Sequence, residues 1–174
     1  MKESHIMLHS LLGHLKDIGI ILLRVDDNSM MNKALAKFSF DLSSTASIVC
    51  GDFNDGLKEL TSIAHEAGHV LIHKKMSRDE TRDYVCIMFV INKLGVDKIS
   101  PEAQEFILKV EAEASRKGFQ LLTNIGVQDG ELLTIKQMMK RWYASYECMC
   151  HEKAVSGARE KILTDNNPVF CDLL

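Results

Sequence analysis

Nowhere in the 174 residues is there an apolar run long enough to cross a bilayer. The longest, Ile18 to Leu23, falls short of the ~20 residues a spanning helix needs. The N-terminal region lacks the form of a secretory leader, because His5, His9, His14, Lys16 and Asp17 interrupt its apolar residues. An excess of one charge is also missing. The formal net charge is −3, and the short basic clusters Lys74-Lys75, Arg116-Lys117 and Lys140-Arg141 are interleaved with acids. That suits solvated helix faces and leaves no electrostatic footprint for nucleic acid. The five cysteines (Cys50, Cys86, Cys148, Cys150 and Cys171) are odd in number and mostly scattered, which fits reduced thiols better than a disulfide framework. No internal repeat or low-complexity linker interrupts the chain. These absences predict a cytoplasmic protein with no membrane partner and no direct nucleic-acid binding.

What is present is a globular composition, 46% apolar and 26% charged, at a length that suits one domain over residues 1–174 with a substantial core. Residues 2 to 17 carry apolar side chains at helical spacing, and Ile20 to Val25 read as a short strand. Beyond the polar turn Asp26-Asp27-Asn28-Ser29, Ala36 to Leu42 alternates Phe38 and Phe40 with polar neighbours, as a half-buried strand does. Ser43-Ser44-Thr45 can turn the chain into a partner strand, Ala46 to Cys50, so a small, mostly antiparallel sheet is predicted. Four helical segments follow. The first runs from about Leu57 to Lys75, and the second follows the capping pair Ser77 and Glu80 and is predicted to be largely buried. The third runs from Pro101, with Ser100 as N-cap, to about Thr123. The last runs from Asp129 into the 150s, and Thr164 to Leu174 reads as an irregular tail.

The first of these four holds TSIAHEAGHVLIH, residues 61 to 73, with His65, Glu66 and His69 spelling H-E-x-x-H. Imidazoles four residues apart on a helix stand one above the other and can bind one Zn²⁺, with the intervening Glu placed to take a proton from water. On the helical wheel Leu60, Ile63, Ala64, Ala67, Val70 and Leu71 share one side, and His65 and His69 point nearly opposite, toward a cleft or another layer. His73, another turn along, reads as a supporting or helix-end residue, where a protonated imidazole suits the helix C-terminus.

A catalytic zinc needs a third protein ligand and an open position. In VEAEASRKGFQLL, residues 110 to 122, Glu111 flanks the inner stripe of its helix and is the best candidate, and Glu113, further round, is the fallback. The plainer reading places both acids on a solvated face. Tyr143, Tyr146 and His151 are candidates to donate to an oxyanion, against a reading of the Trp142 region as core. Cys148-x-Cys150-His151 lacks a second half that would make it a metal site.

HEAGH followed by E-x-E-A-S and Leu121-Leu122 resembles the gluzincin metallopeptidases, closest to the ImmA/IrrE-type family, whose pattern reads roughly H-E-L/I/A-G-H-x-L-x-H and then E-x-x-A-N-x-F-A-x-x-L-L. The resemblance covers residues 46 to 122, with Ser115, Lys117 and Gly118 where the family has Asn or Asp, Phe and Ala. It implies an α+β, mainly helical zincin-like domain with the H-E-x-x-H helix at its centre. It also implies zinc on His65, His69 and Glu111, and Glu66 as general base. The activity implied is hydrolysis of a protein substrate, such as a repressor or other transcriptional regulator. The departures at Ser115 to Gly118 motivate an alternative of another class, a non-proteolytic protein-binding module that keeps the zincin-like fold.

Overall fold

Three helices start where a side chain can satisfy the first free backbone N–H groups. Asp55 accepts from Leu57 N at 2.9 Å and Lys58 N at 3.2 Å ahead of the helix Gly56–His73. Ser77 and Glu80 form the reciprocal capping box of Arg78–Leu94. Ser100 accepts from Ala103 N before Pro101–Asn124, with Pro101 at its first position. In this computed structural model the described residues are 2–25, 36–40 and 46–151. Their order is α1 (Lys2–Asp17), β1 (Ile20–Arg24), β2 (Ala36–Phe40), β3 (Ala46–Cys50), α2 (Gly56–His73), α3 (Arg78–Leu94), a 3-10 turn (Val96–Lys98), α4 (Pro101–Asn124) and α5 (Asp129–His151). The polar turns expected at 26–29 and 43–45 and the tail expected at 164–174 lie outside the described residues.

The protein is mainly helical with one small sheet, but the sheet is mixed rather than mostly antiparallel. Its order is β1-β3-β2, with β1 parallel to β3 (Ile20 opposite Ala46, Arg24 opposite Cys50) and β2 antiparallel to β3 (Ala36 opposite Cys50, Phe40 opposite Ala46). Turn signals between successive strands predict pairing of neighbours in sequence, and for β2 and β3 that pairing forms. β3 takes the centre, where Ala46, Ile48 and Cys50 are wholly inside. β1 therefore pairs with β3 instead of β2. It turns Ile20 inward and leaves Ile21 and Leu23 exposed.

α2 is the central helix, in contact with α1, β2, β3, α4 and α5. Its apolar stripe, Leu60, Ile63, Ala64, Ala67 and Val70, is buried with Leu11 and Leu15 of α1, Ile48 of β3 and Ile135 and Met139 of α5. Each large aliphatic side chain removed from water here stabilises the fold by about 1.5–3 kcal/mol before its entropy cost is counted. Two polar links fix the helix against the sheet end of the molecule. Arg24 at the end of β1 pairs with Glu59, and Lys74 Nζ donates to the Ile18 carbonyl at 2.8 Å.

α3 departs from its expected burial. Tyr84 is inside, packed with Ile107 and Val110 of α4, while Val85, Phe89 and Leu94 are 57%, 62% and 64% exposed. Apolar residues all round a helix imply cover on every side. Here α4 and His73 of α2 cover one side, and Val85, Phe89 and Leu94 on the others remain exposed among the described residues.

Candidate metal centre

The wheel leaves His65 and His69 pointing away from the apolar stripe of α2, and the structure buries that second face as well. α4 lies against it. The approach is close because the residues at the crossing are small: a Cβ on Gly68 would overlap the Ala114 carbonyl oxygen and stand 2.8 Å from its carbon. One on Gly118 would stand 2.5 Å from the Ala64 carbonyl oxygen. The two contacts are reciprocal, each helix offering a glycine to the other's backbone. Gly118, one of the departures from the resembled motif, is thus required by the packing.

That crossing carries Glu111 to the histidines. His65 Nε2 and His69 Nε2 are 3.2 Å apart, and Glu111 Oε2 lies 3.3 Å from the first and 3.4 Å from the second. All three residues are buried, at 7%, 3% and 2% exposure, and together they form a cluster able to hold a metal ion. Three buried atoms with lone pairs, aimed at one point, require a cation between them, a proton or a metal. Burial pushes the Glu111 carboxyl up, but the charge of His69 and the hydrogen bonds and charge of both imidazoles outweigh it and hold it down at about 2. Burial likewise disfavours protonated His69, and Glu111, with a smaller contribution from Glu66, raises it in spite of that.

Ser115, one turn after Glu111, places Oγ 3.2 Å from His65 Nδ1, so the ring's other nitrogen is fixed toward the cluster. This is the orienting contact that a ligating imidazole needs. Replacing Ser115 with Ala is expected to weaken metal binding about tenfold with little change in fold, measured by competition with a chelator of known affinity.

Glu66, next to His65, is half-buried, and its carboxylate acts on His69, Tyr84 and Tyr146. Glu113, the fallback ligand, is not at the site. It faces outward, accepts from Arg116 Nε at 2.7 Å and pairs with Lys117. The acid three residues from Arg116 and four from Lys117 has better partners on the helix surface than in the interior.

His73 lies outside the ligand cluster. Its ring packs edge-on against Tyr84 at 4.4 Å, and burial together with His69 lowers its pKa to about 4. It is neutral at pH 7, not a charged helix-end group. Of the expected hydroxyl donors, Tyr146 lies in the field of Glu111 and Glu66. Tyr143 is core: it is buried with Ile135 and Met139 and answers to Glu147, with its pKa raised to about 12 chiefly by burial. The side chain of His151 lies outside the described residues. Cys148 and Cys150 belong to no metal cluster among the described residues.

Tyr84 is the neighbour that sequence reasoning missed, since it belongs to no motif: its ring packs on His73, in the field of Glu111 and Glu66. Trp142 also borders the site, its ring 5.9 Å from that of His65. Set against protein-family models, curated proteins and solved structures, the chain matches none of them.

Proposed function

We propose that this protein is a zinc-dependent metallopeptidase that cleaves a protein substrate, with a transcriptional regulator such as a repressor as the class suggested by the motif resemblance. The observation that carries the reading is the convergence of His65, His69 and Glu111 beside Glu66. Three ligand atoms on one face of a tetrahedron, about 2.0–2.1 Å from a central Zn²⁺, stand about 3.3–3.4 Å apart. The separations of 3.2, 3.3 and 3.4 Å fit that face. Two imidazoles and one carboxylate are also a ligand set used at catalytic zinc, with the fourth position left for water or substrate.

A zinc ion, when bound, supplies the Lewis acid that polarises the scissile carbonyl and makes water nucleophilic near neutral pH. The protein's own residues do the rest. Ser115 accepts from His65 Nδ1–H, which keeps the Nε2 lone pair on the metal side. Glu66 takes a proton as water adds to the carbonyl carbon. When the C–N bond breaks it delivers that proton to the leaving amine and returns to its carboxylate form.

The test pairs metal content with cleavage. Wild type and Glu66→Gln are expected to hold one zinc per chain and His65→Ala none. Cleavage of an intact protein substrate is expected to fall by about 10²–10⁴ in Glu66→Gln. Full zinc loading with no Glu66-dependent cleavage would sink the peptidase reading. One observation favours a second reading, a module that docks a protein without cutting it: the exposed Val85, Phe89 and Leu94 on α3. Partner binding unchanged in Glu66→Gln, with no product formed, would select it.

A further inference from the structure

α3 packs on the rest of the protein along one side, where Tyr84 is buried and Ile87 and Ile91 lie with it against Ile107 and Val110 of α4. At 100° per residue the opposite side carries Asp79, Arg82, Cys86, Phe89 and Lys93 in one row, with Val85 at its margin. All of them are exposed, the Asp79 and Arg82 side chains at 81% and 67%, Val85 and Phe89 at 57% and 62%. The two ends of the row differ in charge. At its start one arginine serves two acids, Arg82 lying 3.2 Å from Asp79 and 3.6 Å from Asp83, and neighbouring Arg78 and Glu80 add one charge of each sign. That end keeps a negative charge. At the other end Lys93 forms no ion pair among the described residues, so that end is positive. Asp79 and Lys93 stand equally far from Cys86, seven residues to either side, or about 10 Å along the helix.

We propose that this row is the docking surface for a second copy of the same chain, laid antiparallel along α3 about a two-fold axis at Cys86. A two-fold interface matches one surface to itself, so whatever residue i meets at j is met again at j and i. The antiparallel copy sets Lys93 beside the partner's Asp79, and the symmetry repeats the match at the other end. A parallel copy would set lysine against lysine and the acidic ends against each other. The helix dipoles also favour the antiparallel pair, each positive end lying beside a negative one. Between the charged ends, Val85 and Phe89 lie one turn apart on the same flank of the row. The axis therefore brings each Phe89 beside the partner's Val85 and joins the four side chains in one apolar strip. Cys86, a small side chain at the axis, lets the helices approach to the about 8–10 Å of ordinary helix packing. With one helix from each copy in contact, the dimer belongs at the weak end of specific association. It requires neither the metal nor Glu66, so it stands independently of the metallopeptidase reading.

The experiment is sedimentation of the full chain in reducing buffer over a concentration series. Wild type is expected to pass from monomer to dimer as concentration rises. Phe89→Asp should weaken the dimer about tenfold or more with no change in Tm, since the side chain it replaces is 62% exposed. Asp79→Lys and Lys93→Glu should each weaken self-association about tenfold, because each sets two like-charged pairs across the axis. Mixed in equal amounts, those two variants should recover the association of wild type, since both charged contacts then join opposite signs. A short bis-maleimide should join two wild-type chains but no two Cys86→Ser chains, although Cys86→Ser still dimerises. A wild-type chain that stays monomeric at its highest soluble concentration would overturn the proposal and leave this face to a different protein. Dimers that persist in Phe89→Asp, or a mixture that recovers nothing, would overturn it too by placing the contact elsewhere. Neither result bears on the metal centre.

Discussion

Gly68→Ala is expected to force α2 and α4 apart and to cost the protein both stability and metal affinity. The new methyl would overlap the Ala114 carbonyl oxygen and lie 3.0 Å from the Ala114 Cα, and these are backbone atoms that no side-chain rotation can move aside. Overpacking of this kind costs about 1–3 kcal/mol and occasionally more, and at a helix crossing made of backbone the upper end applies. For a chain of this length that is a fall in Tm of about 6–12 °C. Glu111 rides on α4 one turn before Ser115, so any separation also draws the carboxylate away from His65 and His69. Gly118→Ala should act the same way through Ala64. Gly13→Ala is the contrasting case. Gly13 lies in α1 with nothing within 4 Å of an added Cβ, and the substitution should stabilise by up to about 1 kcal/mol. Thermal unfolding of the metal-free and metal-loaded forms of all three variants measures both effects. A Gly68→Ala protein with unchanged Tm would mean that the helices do not cross as closely as described.

Glu111→Gln is expected to weaken zinc binding by more than the about 10–100-fold that outer-sphere partners contribute, since it removes a ligand and its charge together. It should also change how the metal-free protein responds to pH. Glu111 has a folded pKa lowered to about 2, so its contribution is present above the unfolded value near 4.3 and is lost as pH falls through about 2. His69 is raised, so its contribution is present below the unfolded value near 6.5 and is lost as pH rises through the higher folded value. The pair therefore supports the metal-free fold most between about pH 4.3 and 6.5. Zinc needs both imidazoles neutral and shows the opposite trend, binding more tightly as pH rises. The stabilisation added by zinc in a thermal melt should accordingly be small at pH 5 and large at pH 8. In Glu111→Gln the acid-side dependence should flatten and the zinc increment should shrink at every pH. A zinc increment equal to that of wild type would remove Glu111 from the ligand set.

Much of the local structure was legible because its causes are local. Ser77 with Glu80, and Ser100 with Pro101, place the starts of α3 and α4 through capping chemistry that acts within four residues. The i, i+4 spacing places His65 and His69 side by side on any helix. Periodicity also put the two histidines off the apolar stripe of α2 and set Glu111 nearer than Glu113 to the inner face of its helix.

Other features depend on partners distant in sequence, and no local pattern carries them. A wheel reports which side of a helix is apolar, not what lies against the opposite side. The His65 face of α2 could have opened to a cleft but is covered by α4, and the apolar surround of α3 could have been core but lies largely in solvent. Strand order behaves alike. Turn residues report that the chain reverses, while the place of β3 at the centre, with Ile48 buried, belongs to the tertiary structure. Tyr84 meets His73 only because α3 folds back beside the end of α2.

By itself the sequence determined which atoms can ligate a metal: the two imidazoles of the motif helix and a carboxylate on a later one. The tertiary structure alone decided that they meet. His65 and Glu111 are 46 residues apart, and they come within 3.3 Å because glycines on α2 and α4 let two backbones touch.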